Sequence, residues 1–198
     1  LRNACVDQET PKPEDFVDRP MQSLVVVPGD RACVGAAKRA ETLGYETIVL
    51  STMFEGESAE LGHTFAAIAK QVCHNGRPVH PPCVVIGGGE TTVRIDGPAG
   101  EGGPNQEFAL SAAIGIGGLS DVAVMGIDSD GTDGPTDLAG GLVDGSVADE
   151  ARQMGLDLSR YLRAHDAGSA LRRLSAAVVT GSTGTNVNDL KILVVGHP

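Results

Sequence analysis

The chain has 198 residues, of which 41% are hydrophobic and 27 are glycine, while aromatic residues make up only 3%. Its formal net charge of −11 argues against sequence-independent binding to DNA or RNA, because contacts to phosphates need clustered Lys and Arg. No run of about 18 apolar residues occurs, so we predict no membrane-spanning segment. A phosphorylated ligand would need a divalent cation or local basic groups to offset the negative charge.

The first 20 residues are polar and contain three prolines, which predicts an extended leader or linker over residues 1–20. We expect residues 21–198 to form a single α/β domain. No apolar stretch follows the first residues, so they do not predict a signal peptide, and the missing initiator Met suggests a fragment or a processed product. The cysteines form no Cys-x-x-Cys motif and are predicted to be reduced thiols of a cytoplasmic protein: Cys5, Cys33, Cys73 and Cys83.

The first half of the chain alternates between predicted strands and helices. A short apolar run over residues 23–27 predicts a strand, and Asp30 then caps a helix that continues to about residue 43, before Gly44. Residues 47–50 form a second strand, and residues 59–74 carry apolar side chains at helical spacing.

The second half begins with a continuous apolar strand over residues 83–86, followed by an alternating segment that resembles a hairpin partner and by a flexible glycine-rich loop at 97–104. Strands separated by helices predict parallel pairing with right-handed crossovers. We therefore predict an α/β fold, a Rossmann-like three-layer sandwich with a mostly parallel sheet. The remaining predicted elements are the hairpin strand 91–95, a helix through Phe108, Leu110 and Ala113, a strand at 121–127, helices at 146–154 and 167–174, and strands at 176–180 and 191–195.

Three loops each leave the end of an apolar strand, at 87–92, 128–137 and 181–189. Ligands of open α/β sheets bind at the carboxyl ends of the strands, so we expect these loops to converge on one rim if their strands are parallel.

The first loop places three glycines before Glu90 and two threonines. Glycines allow close approach of a ligand to the backbone, and their N–H groups can cradle a phosphate. No Gly-Lys-Ser/Thr follows, so the loop is not a Walker A motif. A tight hairpin turn is the alternative interpretation.

The second loop contains four carboxylates within ten residues, which favours a divalent cation. The EF-hand pattern fails, because the sixth position is Asp133 rather than Gly and the twelfth is Ala139 rather than Glu. Mg²⁺ held by one or two carboxylates and completed by phosphate and water is one interpretation. A solvated turn cluster is the other.

The third loop combines glycines, small hydroxyl residues, Asn186 and Asn188 after a strand. This composition is typical of an anion-binding concavity. A β-turn with Asx caps explains the same residues without a ligand.

Together, these segments resemble the glycerate kinase type 2 family, whose C-terminal module is called MOFRL. Four motifs carry the resemblance, in the order and at about the spacing of the family: residues 88–92 (GGETT), 102–107 (GGPNQE), 130–137 (DGTDGPTD) and 183–190 (TGTNVNDL). The similarity is dense over about residues 83–195, which we take as the MOFRL-like region, and weaker upstream.

The resemblance implies transfer of phosphate from ATP to D-glycerate, giving 2-phosphoglycerate, with Mg²⁺ as cofactor. It also implies a cleft between two α/β domains, of which the upstream one is absent from this chain, so that the isolated chain would be inactive. A homodimer is a further option. Two alternatives stay open: an NAD(P)H-dependent hydroxypyruvate reductase, although no convincing Gly-x-Gly-x-x-Gly turn is found, and a non-catalytic nucleotide- or ligand-binding relative.

The same resemblance suggests roles for individual residues. Glu90 would orient ligand hydroxyls or a metal-bound water, Asp130 would hold Mg²⁺ or accept the hydroxyl proton, and Asn186 would fix ligand oxygens. Asp130, Asp133 and Asp137 are the metal candidates. The candidates for substrate or nucleotide binding are Gly88, Gly89, Asn105, Thr183, Gly184, Thr185 and Asn188.

One position departs from the family pattern: Pro104 stands where the family has an arginine. Proline suits the first turn of a helix but carries neither a charge nor an N–H group. The departure puts kinase activity in doubt, and Arg94 and Arg31 are the candidate substitutes.

Overall fold

The computed structural model describes residues 10–18, 20–22 and 24–196, so half of the predicted leader, including Cys5, lies outside the described residues. A short 3₁₀ helix, Pro13–Phe16, precedes the main elements. The helices are α1 Asp30–Thr42, α2 Ser58–Asn75, α3 Pro104–Ile116, α4 Val147–Gln153, α5 Leu158–Arg163 and α6 Ala167–Arg173. The strands are β1 Glu46–Phe54, β2 Cys83–Gly89, β3 Val122–Asp128, β4 Gly140–Asp144, β5 Ala177–Val178 and β6 Asp189–Val195.

Two predicted strands are absent from the described residues. Residues 24–27 of the first form an exposed irregular segment, while Ser23 is not described. The hairpin strand over residues 91–95 is reduced to one bridge between Thr92 and Glu57. Its backbone follows the β1–α2 connection instead of folding back onto β2, because the N–H of Glu90 donates to Phe54 and that of Thr92 donates to Gly56.

The sheet is mixed, and the prediction of a mostly parallel, Rossmann-like sheet is wrong. The strand order is β1-β2-β6-β3-β4-β5. Among the described strands only β1 and β2 pair in parallel, whereas the β2–β6, β6–β3, β3–β4 and β4–β5 pairs are antiparallel. Since β6 is antiparallel to both neighbours, β2 and β3 still point the same way, as expected for strands connected through helices.

The path of the last strand explains this outcome. No helix separates β5 from β6, so the chain does not return to the end of the sheet at which β2, β3 and β5 begin before it enters β6. Residues 179–188 instead pass from the outer strand β5 along the side of the sheet at which β2, β3 and β5 end, here called its carboxyl edge. Strand β6 then runs back between β2 and β3. This crossing brings the third predicted loop directly over the end of β3.

Helices cover both faces of the sheet and create two apolar cores. On one face, α1 packs Cys33 and Ala40 against Val84 and Ile86 of β2. On the other face, α2 and α3 enclose the larger core around Phe65 and Phe108, whose rings meet edge to face at 5.1 Å between centroids. Helix α3 is buried over residues 105–113, which is typical of a helix surrounded on all sides.

The three described cysteines, Cys33, Cys73 and Cys83, are free thiols, as predicted. Within the described ranges, no helix combines the length and the apolar character that crossing a membrane would require.

Candidate functional site

The second and third predicted loops meet at the carboxyl edge of β3. The Thr183 N–H donates to the carbonyl oxygen of Asp130 at 3.0 Å, and its hydroxyl donates to the carbonyl oxygen of Ser129 at 2.5 Å. The hydroxyl oxygen of Ser129 in turn accepts from the Val187 N–H at 2.7 Å. Gly131 has a left-handed φ of +96° and lies against Gly181, where a side chain would collide with the Gly181 carbonyl.

These contacts bring two of the predicted catalytic residues together. The Asn186 side-chain amide lies 3.5 Å from Oδ2 of Asp130, while Oδ1 of Asp130 accepts from the N–H and the hydroxyl of Thr132. Asp130 stays partly exposed, and Asn186 is exposed. The pair therefore presents a carboxylate oxygen and an amide side by side to a ligand.

Glu90 lies in a neighbouring cleft of about 460 Å³, which Asn188 also lines. The side chain of Glu90 is exposed and, among the described residues, forms no hydrogen bond to Asp130 or Asn186. The N–H of Asn188 donates to the side-chain oxygen of Asn186 at 3.1 Å, so this turn links the cleft to the Asp130 pair. The structure thus places the predicted residues along one edge of the sheet but in two adjoining places: Asp130 and Asn186 in one, and Glu90 and Asn188 in the other.

Gly88 and Gly89 belong to β2 rather than to a loop, because they pair with Leu190 and Asp189 of β6. Their lack of side chains has a packing cause: a Cβ at Gly88 would collide with the sulfur of Cys33, and one at Gly89 with the backbone of Phe54. A phosphate cradle would therefore have to begin after these glycines, at Glu90.

Asp133 is buried and caps α3 from outside the helix. Its carboxylate accepts hydrogen bonds of 2.9–3.0 Å from the N–H and side-chain amide groups of both Asn105 and Gln106. Burial raises the pKa of Asp133, and these hydrogen bonds oppose that shift. Since four donors occupy its oxygens, Asp133 acts as a helix cap, and neither oxygen is left free for a metal ion.

Asp137, the third metal candidate, forms an exposed ion pair with Arg172 of α6, and this partner lowers the pKa of the Asp137 carboxyl. Nowhere in the described ranges do three or more His, Cys, Asp or Glu side chains come together as a metal-binding group. Of the three candidates, Asp130 alone keeps a carboxylate oxygen directed to the shared rim.

The glycine-rich loop before α3 is tied to the segment that joins α5 and α6. The Gly100 N–H donates to the Ala164 carbonyl at 2.9 Å, and the Glu101 N–H donates to the Asp166 carboxylate at 3.0 Å.

Pro104 forms the first residue of α3, as its ring geometry favours. Arg94 forms an exposed ion pair with Asp96 at 3.0 Å, so no described contact places it beside Pro104.

Two charged residues of β6 were missed by the sequence analysis. Asp189 pairs with Asp128 directly across the β3–β6 ladder, and Lys191 lies two residues further along, on the same face. Burial raises the pKa of Asp128 from 3.8 to about 6, and the nearby Asp189 adds to that shift. A lysine at an inward position of a predicted apolar strand was the signal that could have identified Lys191.

Comparisons with known proteins agree with these motifs. The MOFRL family matches residues 83–189. The chain is 40% identical over 175 residues to a glycerate 2-kinase of Pyrococcus horikoshii and 43% identical over 185 residues to a D-glycerate 2-kinase of Thermotoga maritima. It is also 38% identical over 189 residues to a protein of Agrobacterium vitis whose name suggests a hydroxypyruvate reductase.

The fold agrees with a crystal structure of a glycerate kinase from Thermotoga maritima, with a TM-score of 0.83 and 42% identity over 85% of this chain. The match covers 40% of that structure's chain. The sequence alignments cover 88% and 93% of this chain but only 40% and 43% of the Pyrococcus and Thermotoga kinases. The chain thus spans well under half the length of these relatives.

We predict that replacing Asp133 with Ala destabilises the fold by about 3–5 kcal/mol, since it leaves buried donors at the start of α3 without an acceptor. Replacing the exposed Asp137 with Ala should cost much less, because solvent screens its ion pair with Arg172. Urea unfolding of the two variants and the native chain measures both values. Equal costs for the two variants would show that Asp133 does not act as the cap.

We predict a pH-dependent effect of replacing Asp128 with Asn. The pKa of Asp128 is about 6 in the folded state rather than 3.8, so the contribution of this group to stability is fully present below pH 3.8 and is lost as the pH rises through 6. Urea unfolding should therefore show the variant gaining stability relative to the native chain across this window.

Asp137→Asn is the matched control for this experiment. The pKa of Asp137 is lowered in the folded state, so its contribution is present at neutral pH and is lost as the pH falls. The two variants should therefore differ from the native chain with opposite pH trends. A pH-independent effect of Asp128→Asn would contradict the raised pKa of Asp128.

Proposed function

Because this chain belongs to the MOFRL family, we propose that it supplies one wall of the active site of an ATP-dependent D-glycerate 2-kinase. The observation that carries the proposal is the hydrogen-bonded meeting of the loops that hold Asp130 and Asn186. Both loops lie within the region that the family matches. The names of the Pyrococcus and Thermotoga relatives supply the substrate and the reaction.

In this reaction, the 2-hydroxyl oxygen of glycerate forms a bond to the γ-phosphorus of ATP, and the bond between that phosphorus and the β,γ-bridging oxygen breaks, so that ADP leaves. The hydroxyl proton would pass to Asp130 or to water. Catalysis of phosphoryl transfer relies on positioning and on neutralising the negative charge. Mg²⁺ would offset charge on the phosphate oxygens when bound. Asp130 is the carboxylate that fits this ion, because one or two carboxylates together with phosphate oxygens and water complete its ligand set.

The remaining side chains of the rim would serve the acceptor substrate. Asn186 can donate to a phosphate or hydroxyl oxygen without adding charge. Glu90, exposed in the cleft beside Asn188, would accept hydrogen bonds from the hydroxyls of glycerate. Thr183, Gly184 and Thr185 would offer backbone and hydroxyl groups to the nucleotide, as a loop of small residues allows.

A second wall would come from the part of the relatives that this chain does not match. The described rim is acidic, with Glu90, Asp128 and Asp130 near the edge, and the one lysine beneath it is buried. A triphosphate bound here would be repelled unless cations are supplied from elsewhere. We propose that the upstream domain provides them and that the assembled enzyme works in the cytoplasm.

Hydroxypyruvate reductase is the second candidate, because the Agrobacterium relative bears that name. A dinucleotide fingerprint needs glycines at a turn that leads from a strand directly into a helix. Here, the three glycines end β2, and the next helix begins only at Pro104. The kinase is therefore the better-supported function.

A chimera tests the proposed function. In the Thermotoga D-glycerate 2-kinase, the part that matches this chain is replaced by this chain, and ADP release is measured with and without D-glycerate. We expect glycerate-dependent ADP release from the chimera and none from the isolated chain, since one wall cannot position both substrates. Asp130→Asn in the chimera should lower the apparent affinity for Mg²⁺ and ATP.

Asp137→Asn is the control for the metal role, because that carboxylate pairs with Arg172. Equal Mg²⁺ affinities of the Asp130 variant and the parent chimera would remove Asp130 from this role. NADH oxidation with hydroxypyruvate, in the absence of ADP release, would support the reductase instead.

Replacing Pro104 with Arg in the same chimera should raise kcat by about tenfold or more, because a guanidinium can meet the charge on the transferring phosphoryl group with paired donors. The fold should tolerate this substitution, since Pro104 lies partly exposed at the first helical position. Arg94→Ala is the companion variant. A parent chimera that is fully active and loses activity only with Arg94→Ala would show that Arg94 takes the place of the missing arginine.

A further inference from the structure

Lys191 is the one lysine or arginine buried in the described part of the chain, with 1% of its surface exposed. It lies in the centre of the sheet, because β6 is flanked by β2 and β3. Its partners across the two ladders are Gly87 and Gly126. A charged side chain at such a place is costly unless other groups compensate the charge.

The two glycines allow neighbouring residues to approach the strand backbone on either side of the lysine, since a Cβ at Gly87 would collide with the ring of Phe54. A Cβ at Gly126 would lie 2.7 Å from the Phe108 ring and 2.8 Å from the Asn105 carbonyl oxygen. Phe108 and Asn105 therefore approach the strand backbone closely, and the Lys191 ammonium lies 5.5 Å from the centre of the Phe108 ring. The Lys191 side chain is therefore enclosed by protein atoms.

The ammonium donates in two directions. One hydrogen bond goes to the Asp189 carboxylate at 3.0 Å, and Asp189 begins β6 immediately after the loop that holds Asn186. The other goes to the side-chain oxygen of Asn105. The amide group of Asn105 then donates to the Asp133 carboxylate at 3.0 Å, within the loop that holds Asp130.

We propose that Lys191 is the positioning residue of the candidate site, which ties the Asp130 loop and the Asn186 loop to one buried ammonium. This inference deepens the proposed function. It rests on that function in one respect, since it takes these two loops to form a site. Lys191 acts through Asn105 and Asp189 and does not reach a ligand itself.

The charges around Lys191 agree with this role. Burial lowers its pKa, while Asp189 on its own strand, Asp133 in the loop and Asp128 on β3 raise it. From α3 it meets the neutral Asn105 and Phe108, and from β2 it meets Gly87. Loss of the ammonium would leave buried carboxylates without a counter-charge, which a protein tolerates poorly.

Lys191→Met tests the proposal in the 198-residue chain, because Met keeps much of the side-chain volume but not the charge. The readout is amide hydrogen exchange at Thr183 and Val187, whose N–H groups bond the Asn186 loop to the Asp130 loop. We expect exchange at these amides to accelerate about tenfold or more under conditions in which the variant stays folded. Leu193→Ala, on the same face of β6, is the control.

The control should lower the thermal midpoint without a selective effect on the two loop amides, because Leu193 belongs to the apolar core. Should Lys191→Met fail to fold, the double variant Lys191→Met and Asp189→Asn removes both charges, and we expect it to fold with fast exchange at the loop. Native exchange at Thr183 and Val187 in either folded variant would overturn the proposal. The assay contains no nucleotide or glycerate, so a chimera without kinase activity would defeat the proposed function and leave this inference standing.

Discussion

The candidate site depends on the hydrogen bonds between the buried carboxylate of Asp133 and the start of α3. The first turn of any helix exposes N–H groups that need acceptors, and α3 begins inside the protein, where water cannot supply them. Asp133 meets this need with both of its oxygens. Because the cap comes from the loop after β3, the same hydrogen bonds that complete the helix also fix the backbone that presents Asp130.

The antiparallel insertion of β6 is the second constraint. Had β6 been preceded by a crossover helix, the chain would have left the carboxyl edge before entering the sheet. Instead, residues 179–188 cross that edge, and the loop with Asn186 lies against Ser129 and Asp130. The direction of one strand therefore decides whether two distant motifs meet.

These constraints lead to an unusual charge distribution. Carboxylates collect at the end of β3 and the start of β6, where Asp128 and Asp189 oppose each other across the ladder. Opposed like charges on neighbouring strands are unfavourable, and the buried ammonium of Lys191 offsets part of this cost. The exposed rim remains acidic, which fits a site that a cation and a second protein segment complete.

The sequence by itself determined the family and the individual elements, because both depend on local patterns. The resemblance to the MOFRL family is confirmed, and the helix from Asp30, the helix after residue 58 and the strand from Cys83 were predicted from apolar spacing and capping. The positions of the Asp130 and Asn186 loops after apolar strands predicted their convergence only for parallel strands, so the tertiary structure decided that these loops meet, and their roles in chemistry stay a prediction. Only the tertiary structure decided the strand directions, the placing of Gly88 and Gly89 within β2 and the use of Asp133 as a cap. The tertiary structure also revealed the partners of Lys191. Pairing between distant segments depends on packing and on the buried donors that need an acceptor, and local sequence patterns show neither of these.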